Sequence, residues 1–232
     1  MQLQALKITT VDGHQYVNVD LSIAPGIERA SSMGLASSGL ADVLVTGHLH
    51  YASTLLLDEF HHGVMFALIR HPVEQSISTY RIYALRGKEQ GGFEITVEQY
   101  YNDRPHEQNW LVRYLTNFRY GEVTDEHLEL AREVLRRKCV IGLYERIEES
   151  MQRFESMFGW NVDPARISQF ETCQSDMIEA AEDRDSNMSS ELGDVGQEGD
   201  AVWNFFLEKN SYDMNLYEYA KSLYEEQASL YE

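Results

Sequence analysis

Long apolar runs are missing from this chain. None of its 232 residues lies in a segment approaching the ~20 apolar residues of a membrane-spanning helix. The first residues hold no apolar stretch of the signal-peptide kind. Cysteine is scarce, and the two present, Cys139 and Cys173, form no recognisable disulfide framework. Cys139 opens an apolar segment and reads as a core residue. Basic residues are few: 19 Lys and Arg face 38 Asp and Glu, for a net charge of −19. A field this negative argues against nucleic acid as a partner.

What the chain does have is a hydrophobic fraction of 43% and a length that suits one domain with a sizeable core. Residues 1–232 therefore read as a single domain. Charge is unevenly spread along it. Residues 64–140 hold 11 basic and 11 acidic side chains, whereas residues 141–232 hold 6 and 21. Arg132, Arg136, Arg137 and Lys138 are the densest basic group. They fall at the end of a helix begun by Thr124-Asp125-Glu126, where cations complement the helix dipole.

Apolar periodicity and turn residues predict strands over 16–21, 41–45, 64–69 and 140–143. They predict helices over 25–36, 53–61, 73–85, 95–101, 108–115, 124–137, 144–158, 201–209 and 214–231, and a loop over 86–92. Strands alternating with helices indicate an α/β domain with a mainly parallel sheet. Residues 171–200 are acidic and poor in large apolar side chains, and read as a solvated insertion. Leu216-Tyr217, Leu223-Tyr224 and Leu230-Tyr231 recur every seven residues and, with Ala220, form a packing seam.

The segment from Val64 to Tyr80 carries the sharpest chemistry. An apolar strand ends on Arg70, Pro72 suits the first turn of a helix, and Ser78 lies on that helix. In open α/β sheets this crevice binds ligands. A guanidinium there suits a phosphate, because its planar fork donates two parallel hydrogen bonds. Arg-x-Pro, with a serine eight residues after the arginine, resembles the 3′-phosphate-binding motif of the sulfotransferases. Three further segments resemble those of the Golgi carbohydrate 2-O-sulfotransferases, in the same order. They are Gly47-His48-Leu49-His50, the strand-to-helix segment Cys139-Val-Ile-Gly142-Leu-Tyr144-Glu145, and Asn210-Ser-Tyr212-Asp213-Met-Asn-Leu216-Tyr217.

The resemblance implies a P-loop-NTPase-like three-layer α/β/α domain. It implies sulfuryl transfer from 3′-phosphoadenosine-5′-phosphosulfate (PAPS), as co-substrate, to a hydroxyl of a carbohydrate acceptor. No metal is implied. Arg70 and Ser78 would bind the nucleotide. His48 would be the general base, since histidine titrates near working pH. His50, two residues on, would share its side in an extended segment and assist or bind the acceptor. Asn109 and Arg113 fall where acceptor contacts are expected. The family setting is the Golgi lumen or membrane, with an anchor upstream.

Two departures bear on activity. Glu74-Gln75 stands where the family often has Glu-Arg, which removes one positive charge. The Lys-Thr-rich 5′-phosphosulfate loop has no counterpart before His48, where the only basic residues are Lys7 and Arg29. The chain is expected to be N-terminally truncated, and weak as an enzyme by itself. A non-catalytic binding module derived from a sulfotransferase is the alternative. A metal-dependent hydrolase, using His48 and His50 with Asp58, His61 or His62, is a more distant one.

Overall fold

The structure is a computed structural model that describes residues 5–11, 13–89, 95–159 and 196–228, together with Thr172, Ser175, Asp176 and Glu179. Most of the expected acidic insertion, Cys173 and the Leu230-Tyr231 pair lie outside the described residues.

Two parallel strands form the centre. β3 (Met65–Ile69) pairs with β4 (Cys139–Leu143) in a register that sets Met65 beside Cys139 and Ile69 beside Leu143. Every residue of β4 is buried, as expected of a strand covered on both faces. α4 (Pro72–Glu89) leaves β3, α7 (Asp125–Lys138) feeds β4, and α8 (Ile147–Phe158) leaves it. α10 (Ser211–Ala228) lays Leu216, Tyr217, Ala220, Leu223 and Tyr224 into the core with Ile69, Ile141 and Leu143. The heptad-spaced seam thus packs inward within the same chain.

β1 (Ile8–Val11) and β2 (His14–Val17) form a separate antiparallel hairpin. α1 (Ala24–Ser32), α2 (Leu35–Ser38) and α3 (Leu49–Leu56) bury a small second cluster around Ile27, Ala30 and Leu35. α5 (Val97–Asp103), α6 (Trp110–Thr116) and α9 (Ala201–Lys209) complete the helices among the described residues. α5 begins at a capping box: Thr96 Oγ1 accepts from the Gln99 N–H, and Gln99 Oε1 accepts from the Thr96 N–H.

The mixed α/β class holds, but four expectations need correction. Residues 41–45 form no strand. Ala41 and Leu44 pack against the α1–α3 cluster, while Val45 is 80% exposed, and among the described residues no neighbouring strand takes the backbone hydrogen bonds. The strand expected over 16–21 ends at Val17 and pairs only with β1. α4 runs on to Glu89, through half of the expected loop. Residues 53–61 are not a helix throughout; α3 starts at Leu49 and stops at Leu56. Among the described residues the parallel sheet has two strands.

The candidate functional site

β3 and β4 run parallel, so their carboxyl ends open on the same edge. Arg70 sits one residue beyond β3, and Tyr144 one residue beyond β4. The Arg70 guanidinium lies over the Tyr144 ring, 4.8 Å from its centroid. Such stacking on an aromatic face holds the guanidinium plane in place. Its Nε is 3.5 Å from Glu74 Oε2, a long ion pair one helical turn away. The Arg70 side chain is 19% exposed, against 48% for Glu74. Pro72 opens α4, and Val73, Ile77 and Ala84 bury one face of the helix. Ser78 is half-buried on the second turn of that helix. Arg70 and Ser78 therefore flank one strand-to-helix junction, as the spacing requires.

Aromatic rings gather beside this junction, and His71 and Trp203 among them were not singled out by the sequence. His71 stacks on Trp203 at 5.4 Å and meets the edge of Tyr217 at 5.2 Å. The Tyr217 hydroxyl donates to Glu145, in the turn after β4. That carboxylate, with burial as the larger cause, pushes the Tyr217 phenol well above its ordinary value. The signal was there in part: the Tyr217 position lies within the recognised Asn210–Tyr217 segment, but nothing local in sequence pairs it with Glu145, 72 residues earlier.

His48 and His50 stand apart from Arg70's immediate contacts. His48 is the residue before α3, at φ −97° and ψ 51°, and His50 is in the first turn. The expectation of an extended segment is corrected: once the helix begins, residues two apart do not face each other. Their surroundings differ accordingly. His48 is 4% exposed and packs on Tyr114 at 5.0 Å. Its Nε2 is 3.4 Å from Arg119 Nη1. Burial first, and Arg119 second, lower its basicity, while a hydrogen bond to the Ser22 backbone opposes them. His50 is half-buried, its Nδ1 has no hydrogen-bond partner, and burial and Lys138 lower its basicity also. Both rings are held toward the neutral form, which is the form that accepts a proton.

Asn109 and Arg113, expected near an acceptor, lie at the junction of α6 and α10. Asn109 adopts the left-handed conformation, φ 50°, that asparagine tolerates better than most residues. Its Oδ1 accepts the N–H groups of Tyr212 and Asp213, at 3.0 and 3.2 Å, at the start of α10. Asp213 returns the arrangement: its carboxylate accepts the Leu111 and Val112 N–H groups, at 2.8 and 2.9 Å, at the start of α6. Asn210 accepts the Asn109 N–H and donates to Ser76 and Tyr101. The Asn210 and Asp213 positions thus serve to lock helices together, and Asn109's side-chain oxygen is committed to the same task.

Asp58 Oδ1 accepts from the backbone N–H groups of Phe60 and His61 and lies 2.8 Å from His61 Nδ1. Among the described residues, no group of three or more His, Cys, Asp or Glu side chains is placed to hold a metal ion. The basic cluster ends α7: Arg132 pairs with Glu129, and Arg136 and Arg137 pair with Glu133. Among the described residues, no helix is long and apolar enough to cross a membrane. No family model, no curated protein and no solved structure matches this chain.

Proposed function

We propose that the chain is a PAPS-dependent sulfotransferase-like domain, with a carbohydrate hydroxyl as acceptor and the three-layer α/β/α arrangement of that family. The observation that carries the reading is the strand-to-helix junction at the open edge of the parallel pair. Arg70 leaves β3 there beside Tyr144, and Ser78 sits on the helix that follows. The guanidinium fork and the hydroxyl would hold the 3′-phosphate of the nucleotide and do no chemistry themselves. Glu74 would yield its long contact with Arg70 to that phosphate.

In the transfer, the acceptor oxygen bonds to sulfur as the bond from sulfur to the 5′-phosphate oxygen breaks. The hydroxyl proton passes to a neutral histidine, and His48 is the proposed acceptor of that proton. His50 would bind or orient the acceptor. The Golgi is the compartment proposed with this reading. A second reading, a nucleotide-binding module without transfer, is favoured by one observation: His48 is buried with Arg119 against its Nε2.

Calorimetric titration with 3′-phosphoadenosine-5′-phosphate tests both. One-to-one saturable binding is expected, and Arg70→Ala should weaken it about tenfold or more, equivalent to at least ~1.4 kcal/mol. A wild-type chain that does not bind, or an Arg70→Ala chain that binds equally well, removes the nucleotide reading. Sulfate transfer from labelled PAPS to a glycan mixture, abolished by His48→Ala, separates enzyme from binding module.

A further inference from the structure

Arginines in an acidic chain are expected to find carboxylates. With 38 acidic side chains to 19 basic ones, that expectation is strong here. Two arginines beside one cavity depart from it. The cavity, 460 Å³ in volume, lies between the start of α6, residues 119–123 and the α9–α10 junction. Arg113, Arg119 and Lys209 line it, with His106 among its polar walls.

Arg113 is 6% exposed. Its Nε donates to the Gln108 carbonyl at 2.7 Å and its Nη2 to the Gly121 carbonyl at 2.9 Å, both residues of the cavity wall. Its Nη1 is buried and has no hydrogen-bond partner. The charge of Asp213 acts on Arg113, but its two oxygens accept from the Leu111 and Val112 N–H groups. A buried guanidinium that bonds only to carbonyls is costly, and an anion would offset that cost.

Arg119 repeats the pattern on the far side. Its Nη1 meets His48 Nε2 at 3.4 Å and its Nη2 donates to the Tyr114 hydroxyl at 3.3 Å. Neither partner is a carboxylate. Glu122 and Glu208 also line the cavity, but both are exposed, and Glu208 is 3.5 Å from Lys209. The lining acids are thus exposed, whereas the lining Arg113 is buried with one donor unfilled.

We propose that this cavity binds an oxyanion, the phosphate or sulfate group of a small ligand, between Arg113 and Arg119. Ligand pockets of this size, ~300–1,000 Å³, accommodate an organic ligand carrying such a group. Arg70 and Ser78 do not line the cavity, so the proposal stands independently of the nucleotide site. Because Arg119 contacts both the cavity and His48, a bound anion would draw its guanidinium off the imidazole and restore some of its basicity.

Calorimetric titration of the whole chain with inorganic phosphate and with sulfate, at low ionic strength, tests this, with acetate as the planar comparison. One site is expected for phosphate or sulfate. Arg119→Gln should weaken it at least tenfold without lowering the ligand-free melting temperature, and Arg70→Ala should leave it unchanged. Because Arg113→Met would remove a buried, hydrogen-bonded group on which folding also depends, the melting temperature of Arg113→Lys is read with and without phosphate. Loss of the phosphate-induced rise supports the site, since a ligand stabilises only the state that binds it. No saturable binding by wild type, binding equally tight in Arg119→Gln, or binding lost in Arg70→Ala instead, overturns the proposal.

Discussion

Asp213 concentrates the chain's buried electrostatics in one residue. Its carboxyl caps α6 from the first turn of α10, and burial pushes it up to about 7. The N–H groups of Val112 and Leu111, and the charge of Arg113, act the other way and do not prevail. The sign for stability follows. A carboxyl that binds its proton more tightly in the fold contributes fully below its unfolded value of 3.8, and loses that contribution as pH rises toward about 7. Asp213→Asn cannot titrate, and its amide N–H₂ opposes one of the two N–H donors, so it should cost about 1–3 kcal/mol. The cost should be larger at pH 5 than at pH 7.5, because ionisation erodes the wild-type advantage over that interval. Urea midpoints of both proteins at the two pH values check this; a gap that widens with pH contradicts the assignment. The two histidines shift the other way. Burial lowers the basicity of His48 and His50, so their contribution to stability is lost on acidification below the ordinary histidine value of 6.5. Comparing Asp213→Asn with wild type cancels that common slope.

At the scale of elements, the outer edge of β4 shows how one side chain meets a strand's backbone where, among the described residues, no third strand pairs. Gln227 on α10 places its amide against the strand. Its Oε1 accepts the Ile141 N–H and its Nε2 donates to the Cys139 carbonyl, both at 2.9 Å. This is the bonding a neighbouring strand would supply, delivered by one side chain. Gln227→Leu keeps the volume and removes both bonds. It should destabilise the fold by about 1–3 kcal/mol, the penalty of an unpaired buried amide, with thermal melting as the readout. A Gln227→Leu chain as stable as wild type would show that water replaces the amide. Gly142 has a packing reason: a Cβ there would come within 2.6 Å of the Phe154 ring, so the residue lets α8 pack directly on β4. The helices that packing decides were legible from periodicity: α7, α8 and α9 fall within one to three residues of expectation. The apolar run 41–45 was not, because five residues give strand periodicity no way to distinguish a paired strand from a packed loop. The junction at Arg70 was legible because strand, proline and helix are adjacent in sequence. Arg119 against His48 was not, since that contact joins residues 71 apart and involves no motif.

The whole molecule carries a net charge of −19, and residues 141–232 account for 21 of its 38 acidic side chains. Charge of one sign repels itself in the compact state. Several exposed acids are already paired in short-range bridges, such as Arg136 with Glu133 at 2.9 Å and Arg146 with Glu225 at 2.6 Å. Exposed pairs of this kind are each worth only ~0–1 kcal/mol and are themselves weakened by salt. With two acids to every base, half of the carboxylates have no cation of their own, so the long-range repulsion outweighs what the bridges return. Raising ionic strength from 0.01 M to 0.15 M shortens the Debye length from ~30 Å to ~8 Å, which screens repulsion between distant acids more than it weakens contact pairs. The chain should therefore gain stability with added sodium chloride over that range, by a few °C in melting temperature. Binding of phosphate in the Arg113–Arg119 cavity has two opposed dependences. Screening of the surrounding acids favours entry, whereas screening of the arginines weakens the contact itself. The cavity's cations are partly buried and the acids largely exposed, so the repulsive part is screened first. The association rate constant for phosphate should accordingly rise with salt in wild type, measured by stopped-flow at constant pH. If melting temperature fell steadily with salt instead, the ion pairs would dominate the net charge, and the acidic surface would be a cohesive network rather than a source of repulsion.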